Sequence, residues 1–157
     1  MSKIAIIPAR GGSKRIPRKN IKLFLGKPII AYSIEASLKS ELFDEVMVST
    51  DDDEIAEIAK SYGASVPFLR SDKNADDHAT TVDVIAEVIK EYSKIGKEFE
   101  QGCCIYPSAP FTSAKRLNAF FSKLNDGDFD CVFPVLKYGY PIQRALRMNE
   151  AQKVSML

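Results

Sequence analysis

Residues 4–24 read IAIIPARGGSKRIPRKNIKLF, an apolar run that leads into two adjacent glycines and a cluster of cations. The run from Ile4 to Pro8 has the length and composition of a buried strand. Five cations follow between residues 10 and 20: Arg10, Lys14, Arg15, Arg18 and Lys19. Gly11 and Gly12 allow consecutive backbone N–H groups to face one anion. The stretch therefore predicts a strand followed by an anion-binding turn.

The charge of this loop indicates a small anionic ligand. The whole chain has a net charge of +1, so the cluster is local, and no general nucleic-acid or membrane role follows. Cations this close repel one another, which makes such a loop costly without a ligand. Ser13 adds a hydroxyl donor, although neither G-x-G-x-x-G nor the P-loop signature is present. We expect a polyphosphate. The alternative is a solvated basic turn or a weak RNA-binding patch. It is disfavoured because no aromatic residue that could stack on a base is interleaved with these cations.

Apolar runs alternate with helical patterns along the rest of the chain. The predicted strands are residues 4–8, 45–50, 65–70, 102–107 and 131–136. The predicted helices are residues 26–38, where Gly26 is the turn and Pro28 an early helical position, and residues 51–63, 80–92 and 113–124. Strands separated by helix-length patterns favour right-handed crossovers and a mainly parallel sheet with helices on both faces. We expect one Rossmann-like α/β domain over residues 1–157, with ligands at the carboxyl ends of the strands.

Cysteine content and hydropathy favour a cytoplasmic location. Cys103, Cys104 and Cys131 are an odd number of cysteines in apolar runs, which is typical of buried, reduced thiols. No apolar run approaches the length of a membrane span, and the first one is too short for a signal-peptide core. We therefore expect no membrane partner and no nucleic-acid partner.

Acidic residues precede two of the predicted helices. The acids at residues 51–53 suggest either a metal site or helix capping, and capping is favoured because carboxylates stabilise the amino end of a helix. Thr80 and Asp83 have the spacing of a capping box. Near the carboxyl end, RALRMNEAQ followed by KVSML predicts a strand, a polar turn and a return strand.

Three segments carry a resemblance to a known family. IPARGGSKRIPRKNI at residues 7–21, FLGKPIIAYSI at 24–34 and VSTDDDEIAEIAKSYGA at 48–64 resemble the amino-terminal half of the CMP-sialic acid synthetase family. These cytidylyltransferases activate nine-carbon acidic sugars. The resemblance covers essentially the whole chain, and it implies the Rossmann-like nucleotide-diphospho-sugar transferase fold.

The resemblance also implies residue roles. In the family, the loop holds the triphosphate and ribose of CTP, and the matching positions are Ala9, Arg10, Gly11, Gly12, Ser13, Lys19 and Asn20. Arg10 and Lys19 are the expected catalytic residues, which stabilise charge on the phosphates. Arg70 is expected to reach the base, the alternative being a surface arginine at a strand end. The resemblance places Thr80 and Thr81 in the cytosine pocket.

YPSAPF at residues 106–111 distinguishes branches of the family. The sialic acid branch usually shows Q-P-T-S-P-L-R, whereas this stretch resembles the branch that activates pseudaminic acid. Tyr106 and Ser108 are the expected sugar contacts here. Further on, KYGYPIQRALRM resembles the segment that faces the sugar, so Arg144 and either Tyr138 or Tyr140 are expected there. The alternative for that segment is an aromatic edge that covers the sheet.

The resemblance implies synthesis of a CMP-activated nonulosonic acid, most closely CMP-pseudaminic acid, from CTP and the free sugar, with Mg²⁺ as cofactor. The alternatives are a CMP-Kdo or CMP-N-acetylneuraminate synthetase, or a non-catalytic CTP-binding module. We expect the chain to be incomplete at its carboxyl end and its metal ligands to lie beyond Leu157. These residues should then bind CTP but transfer CMP poorly. A longer form is expected to be a homodimer.

Overall fold

The computed structural model describes residues 1–76, 78–137, 139 and 146–156. By internal contacts the chain divides into two units, Met1–Ser122 and Lys123–Leu157. The elements that begin in the first unit are β1 (Lys3–Pro8), a 3₁₀ helix (Lys19–Ile21), β2 (Leu23–Phe24), β3 (Lys27–Pro28), α1 (Ile29–Lys39), β4 (Glu45–Ser49), α2 (Asp53–Ser61), α3 (Asp72–Ala75), α4 (Thr81–Lys94), β5 (Gln101–Cys104) and α5 (Ala114–Asp126).

Strand β1 is the centre of a three-stranded parallel sheet in the order β4, β1, β5. Ile4 pairs with Glu45 on one side, and Ala5 pairs with Cys103 on the other. Each neighbouring strand is reached through helical segments, as parallel pairing requires. The predicted parallel sheet is confirmed. Its three carboxyl ends lie on the same edge and converge on one region.

The side chains of β1 alternate between two apolar cores. Ala5 and Ile7 pack in a core that includes Ile34 of α1, Ile55 of α2 and Leu117 of α5. On the opposite face of the sheet, a second core contains these fully or almost fully buried residues: Ile4, Ile6, Met47, Val88 and Tyr92. Because Val88 and Tyr92 belong to α4, helices cover both faces. The alternation follows from the two-residue period of a strand.

Two predicted strands are wrong. Residues 65–70 run beside β4 but make only one isolated bridge, between Ser65 and Met47, and one further backbone bond from the Arg70 N–H to the Thr50 carbonyl. Pro67 has no N–H to donate, which prevents a continuous ladder. Residues 131–136 also form no strand, and Pro134 interrupts that run in the same way.

The helix predicted after the Gly26 turn, with Pro28 at an early helical position, begins just after Pro28, at Ile29. Residues 23–28 instead form the short antiparallel pair β2 and β3. The two residues of the turn between β2 and β3 have positive φ, 46° at Leu25 and 89° at Gly26, as a tight hairpin requires. Pro28 is the residue before the helix, and its fixed φ suits that position.

The second unit, taken by itself, contains a hairpin. Strands β6 (Leu146–Met148) and β7 (Val154–Met156) pair antiparallel. The Asn149 side chain accepts the Lys153 N–H at 3.0 Å and so closes the connecting turn. The predicted strand, polar turn and return strand are confirmed.

The cysteines are free thiols, as expected, but the prediction that all are buried is wrong. Cys103 is half-buried, and burial raises its pKa to about 11. Cys104 and Cys131 are exposed. Cys104 lies on β5, an edge strand, and Cys131 lies in the run that does not form a strand. Among the described helices, none combines the length and apolar character that a membrane crossing requires.

Candidate active site

A pocket lies where the three parallel strands end. It is lined by Pro8, Arg10, Lys19, Asn20, Arg70, Ala79, Thr80, Thr81, Val84, Tyr106, Pro107 and Ser108. These residues come from separate stretches of sequence that follow β1, β4 and β5. The pocket volume is about 180 Å³, below the roughly 300 to 1,000 Å³ of pockets that enclose a whole small ligand. The pocket therefore encloses at most part of a small ligand.

Asn20 joins the two ends of the basic loop. Its Nδ2 donates to the Arg10 carbonyl at 2.9 Å, so the 3₁₀ helix is tied to the residue that leaves β1. The side chain is 4% exposed, and its Oδ1 has no hydrogen-bond partner in the described part of the chain. A buried acceptor without a donor costs about 1 to 3 kcal/mol. The Asn20 Oδ1 can therefore accept a hydrogen bond from a donor group on a ligand.

Arg10 reaches across the pocket to the loop before α4. Its Nη1 donates to the Asp76 carbonyl at 2.8 Å. The Asp76 carboxylate in turn accepts the N–H groups of His78 and Ala79, each at 2.8 Å, which fixes the turn that leads to Thr80. Arg10 thus connects the loop after β1 with the amino end of α4.

The amides expected to face an anion are partly engaged by the protein itself. The Gly11 N–H donates to Asp51 Oδ1 at 2.9 Å, and the Ser13 N–H donates to the Gly11 carbonyl at 2.9 Å. Neither Gly11 nor Gly12 has a positive φ. A Cβ atom added at residue 11 would lie 2.7 Å from Asp52 Oδ2, which is too close for two non-bonded atoms. The position of the Asp52 carboxylate therefore requires glycine at residue 11. Ala9, Gly11, Gly12 and Ser13 do not line the pocket, and their role in nucleotide binding stays a prediction.

The five loop cations do not surround one space, which corrects the sequence interpretation. Arg18 turns toward α2, where Nη1 and Nη2 donate to the two carboxylate oxygens of Asp52 at 2.5 and 3.0 Å. Nη2 also contacts Glu54. The Asp52 hydrogen bond raises the pKa of Arg18, and the same bond lowers the pKa of Asp52. Of the five cations, Arg10 and Lys19 line the pocket.

The acids at the start of α2 cap the helix, as predicted. Asp52 is the N-cap residue, and its Oδ1 accepts the Ile55 N–H at 2.9 Å. Asp51 binds the Gly11 amide. Across the ranges that the structure describes, no three His, Cys, Asp or Glu side chains group together as a metal centre would need.

Arg70 is a buried, fixed donor at the back of the pocket. Only 8% of the residue is exposed, so the alternative of a surface arginine at a strand end is wrong. Its Nε donates to Ser49 Oγ at 3.0 Å and its Nη2 to the Ser49 carbonyl at 2.5 Å. Burial lowers the pKa of Arg70, while the nearby charge of Asp51 opposes that shift. Nη1 has no hydrogen-bond partner among the described residues and is available to a ligand.

The opposite wall comes from α4 and from the turn after β5. Thr80 forms a capping box with Asp83, so the predicted capping box is confirmed. Thr81 Oγ1 and Tyr106 Oη are 3.1 Å apart and share a hydrogen bond, so the two segments meet at the pocket. Ser108 also lines it. Tyr138, Tyr140 and Arg144 fall outside the described residues, and their contact with sugar stays a prediction.

Sequence reasoning missed Ser49 and Asp76. Ser49 ends β4, so the rule that ligands bind at the carboxyl ends of parallel strands was a signal for it. Asp76 acts through its backbone carbonyl and an Asx turn, and a loop aspartate by itself gives little signal.

The sequence model of the cytidylyltransferase family matches residues 4–155. The chain belongs to the cytidylyltransferase family. It is 44% identical over 156 residues to pseudaminic acid cytidylyltransferase of Campylobacter jejuni, covering 99% of this chain and 67% of that protein. It is 42% identical to CMP-N,N'-diacetyllegionaminic acid synthase of Legionella pneumophila, covering 69% of this chain and 47% of that protein.

The fold prediction is confirmed by solved structures. CMP:2-keto-3-deoxy-manno-octonic acid synthetase, solved with CTP, superposes with a TM-score of 0.68 at 24% identity. The match covers 80% of this cytidylyltransferase chain and 48% of that structure. A 39% identity to N-acylneuraminate cytidylyltransferase of Escherichia coli further confirms the resemblance to the CMP-sialic acid synthetase family.

The Arg18 contact makes a pH-dependent prediction for Asp52. Because the folded-state pKa of Asp52 is lowered, its ionised form stabilises the fold at pH values above its ordinary pKa of about 3.9. That stability is lost as pH falls through the lower folded-state pKa. Asp52→Asn should therefore lower the melting temperature at pH 7, and the difference from wild type should shrink below about pH 4. Asp53→Asn, at an exposed acid of the same turn, is the control and should cost less. A constant difference from pH 7 to pH 2 would contradict the prediction.

Proposed function

We propose that this protein makes a CMP-activated nonulosonic acid, CMP-pseudaminic acid, from CTP and the free sugar. The observation that carries the proposal is one pocket that joins Arg10 and Lys19 with Arg70 and with Tyr106. The family resemblance assigns Arg10 and Lys19 to the phosphates of CTP. It assigns Arg70 to the base and Tyr106 to the sugar. The chain spans 67% of the length of the Campylobacter jejuni relative, whose name states that activity.

The phosphate end of the pocket is the basic loop. Arg10 and Lys19 both line it, and two cations there would stabilise charge on the phosphoryl oxygens and on the departing pyrophosphate. Asn20 adds an acceptor that lacks a partner among the described side chains, which suits a ribose hydroxyl. Ala9 is fully buried, so its contribution to nucleotide binding would come through the backbone.

The base end of the pocket contains Arg70. Two of its guanidinium nitrogens bind Ser49, which fixes the direction of the third. A fixed donor suits the carbonyl oxygen and ring nitrogen of cytosine. Thr80 and Thr81 line the same pocket. The sugar would then bind beside Tyr106 and Ser108, with Tyr140 and Arg144 as further predicted contacts.

The reaction is a nucleotidyl transfer. The oxygen of the sugar's anomeric hydroxyl bonds to the α-phosphorus, the bond from that phosphorus to the bridging oxygen breaks, and pyrophosphate leaves with that electron pair. The hydroxyl proton is released to water. Such a transfer asks the protein mainly for in-line positioning and for stabilisation of phosphate charge.

Mg²⁺ is the cofactor that we propose for the activity, and the described side chains do not by themselves make a complete site for it. They contain no group of three metal-binding side chains. Asp51 accepts the Gly11 N–H, and Asp52 binds Arg18 and caps α2. The ligands of the ion are therefore not assigned. A homodimer, a cytoplasmic location and the lack of nucleic-acid or membrane partners stay predictions.

Measuring pyrophosphate release tests the proposed reaction. The purified protein should release pyrophosphate from CTP faster with pseudaminic acid than with legionaminic acid, N-acetylneuraminic acid or Kdo. Fastest release with another acid would identify that acid as the substrate instead. Binding of CTP without release with any sugar, both in this chain and in a version extended at its carboxyl end, would support a non-catalytic module.

The two pocket cations give a second prediction. Lys19→Ala and Arg10→Ala should each lower turnover on the order of 100-fold, because a preorganised charge partner of the phosphates is lost. Lys19→Ala should leave the melting temperature unchanged, since its side chain is exposed. Arg10→Ala also loses the bond to Asp76 and should cost about 1 kcal/mol of stability. Lys22→Ala is the matched control, at an exposed lysine off the pocket. Unchanged turnover in both pocket variants, as in the control, would refute the assignment.

Arg70 gives a prediction about the base. Arg70→Lys keeps the charge but loses the fork, so the preference for CTP over UTP should fall roughly ten- to hundredfold. The comparison is the ratio of kcat/KM for the two nucleotides, measured where the variant's melting temperature shows that it is folded. An unchanged ratio would mean that Arg70 supports the fold and does not read the base.

A further inference from the structure

Arg18 is a loop cation with constrained surroundings. Its φ is 53°, in the left-handed region, and it is the residue immediately before the 3₁₀ helix. A side chain other than glycine reaches this region at a cost of about 1 kcal/mol or more. The bidentate contact with Asp52 and the contact with Glu54 offset this cost. We call the contacts among Arg18, Asp52 and Glu54 the loop clamp.

The loop clamp is continuous with contacts at the other end of the loop. Asp52 Oδ2, which binds Arg18, would lie 2.7 Å from a Cβ on Gly11. The preceding residue, Asp51, accepts the Gly11 N–H at 2.9 Å. Both ends of the loop, residue 11 and residue 18, are therefore attached to adjacent carboxylates at the start of α2. Because Asp52 also caps α2, the loop and the helix share one anchor.

We propose that Arg18 is a positioning residue, which acts through Asp52 to hold the loop in the geometry that binds the nucleotide and does not itself contact a phosphate. Lys19 and Asn20 follow Arg18 directly and line the pocket. Asn20 is bonded to the Arg10 carbonyl, so displacement of Arg18 would move three pocket residues together. The inference deepens the proposed function, and its nucleotide-binding part rests on that function.

Replacing Asp52 by Asn distinguishes this role from direct phosphate binding. If Arg18 bound phosphate, the substitution would release a cation and remove a negative charge, so CTP would bind more tightly. If Arg18 acts through the loop clamp, the same substitution loosens the loop, so CTP binds less tightly. The two roles therefore predict opposite signs. Asn is a good N-cap residue, so helix α2 is retained.

The experiment compares wild type with Arg18→Ala, Asp52→Asn and the double variant. Titration calorimetry measures the Kd for CTP, and hydrogen exchange measures protection of the amides at residues 11–20. Each single variant should weaken CTP binding roughly fivefold, the upper end for a partly exposed ion pair. The double variant should be no weaker than the singles, because both changes break one contact. Exchange at residues 11–20 should be faster in all three.

Lys60→Ala is the control. It breaks the exposed Lys60–Glu57 ion pair, whose atoms are 2.9 Å apart on the same helix, and should change neither measurement. Tighter or unchanged CTP binding in Asp52→Asn, or additive losses in the double variant, would overturn the proposal. If wild type does not bind CTP, the proposed function fails. Hydrogen exchange then decides the loop clamp, and unchanged exchange in both single variants would overturn it.

Discussion

Strand β1 is the constraint on which the rest of the structure depends. It is hydrogen-bonded to a parallel strand on each side and packed against an apolar core on each face. A strand enclosed in this way has little freedom to shift, because a one-residue slip would exchange its two faces. Its end at Pro8 therefore fixes where the basic loop begins, and the loop begins at the edge where β4 and β5 also end.

Two carboxylates at the start of α2 hold Arg18 away from the pocket. The first turn of α2 begins at the end of β4 and presents Asp52 and Glu54 to Arg18. Arg10 and Lys19 remain on the pocket side. The cations thus face two directions: Arg10 and Lys19 line the pocket, while Arg18 binds the start of α2. This division reduces the mutual repulsion that the composition alone suggested.

Burial gives Arg70 a different character from the loop cations. Its guanidinium is held by Ser49 at the end of β4 and is largely removed from water. In the proposed function, this buried donor discriminates by hydrogen bonding, because a mismatched base would leave it without a partner. Exposed cations such as Lys19 attract any polyphosphate. In the proposed function, exposed cations therefore attract the phosphates and the buried arginine recognises the base.

The sequence by itself determined the parallel sheet, the helices and the caps at Asp52 and Thr80, because these follow from local periodicity and from side-chain bonds to the nearby backbone. It also placed Arg10 and its loop at the carboxyl end of β1, and its motifs identified the family. Only the tertiary structure decided that Gly11 is required by Asp52 and that Arg18 faces α2. Those outcomes depend on groups 34 or more residues apart in the sequence, whose meeting is set by packing, and the spacing of charges along a chain does not encode their direction in space.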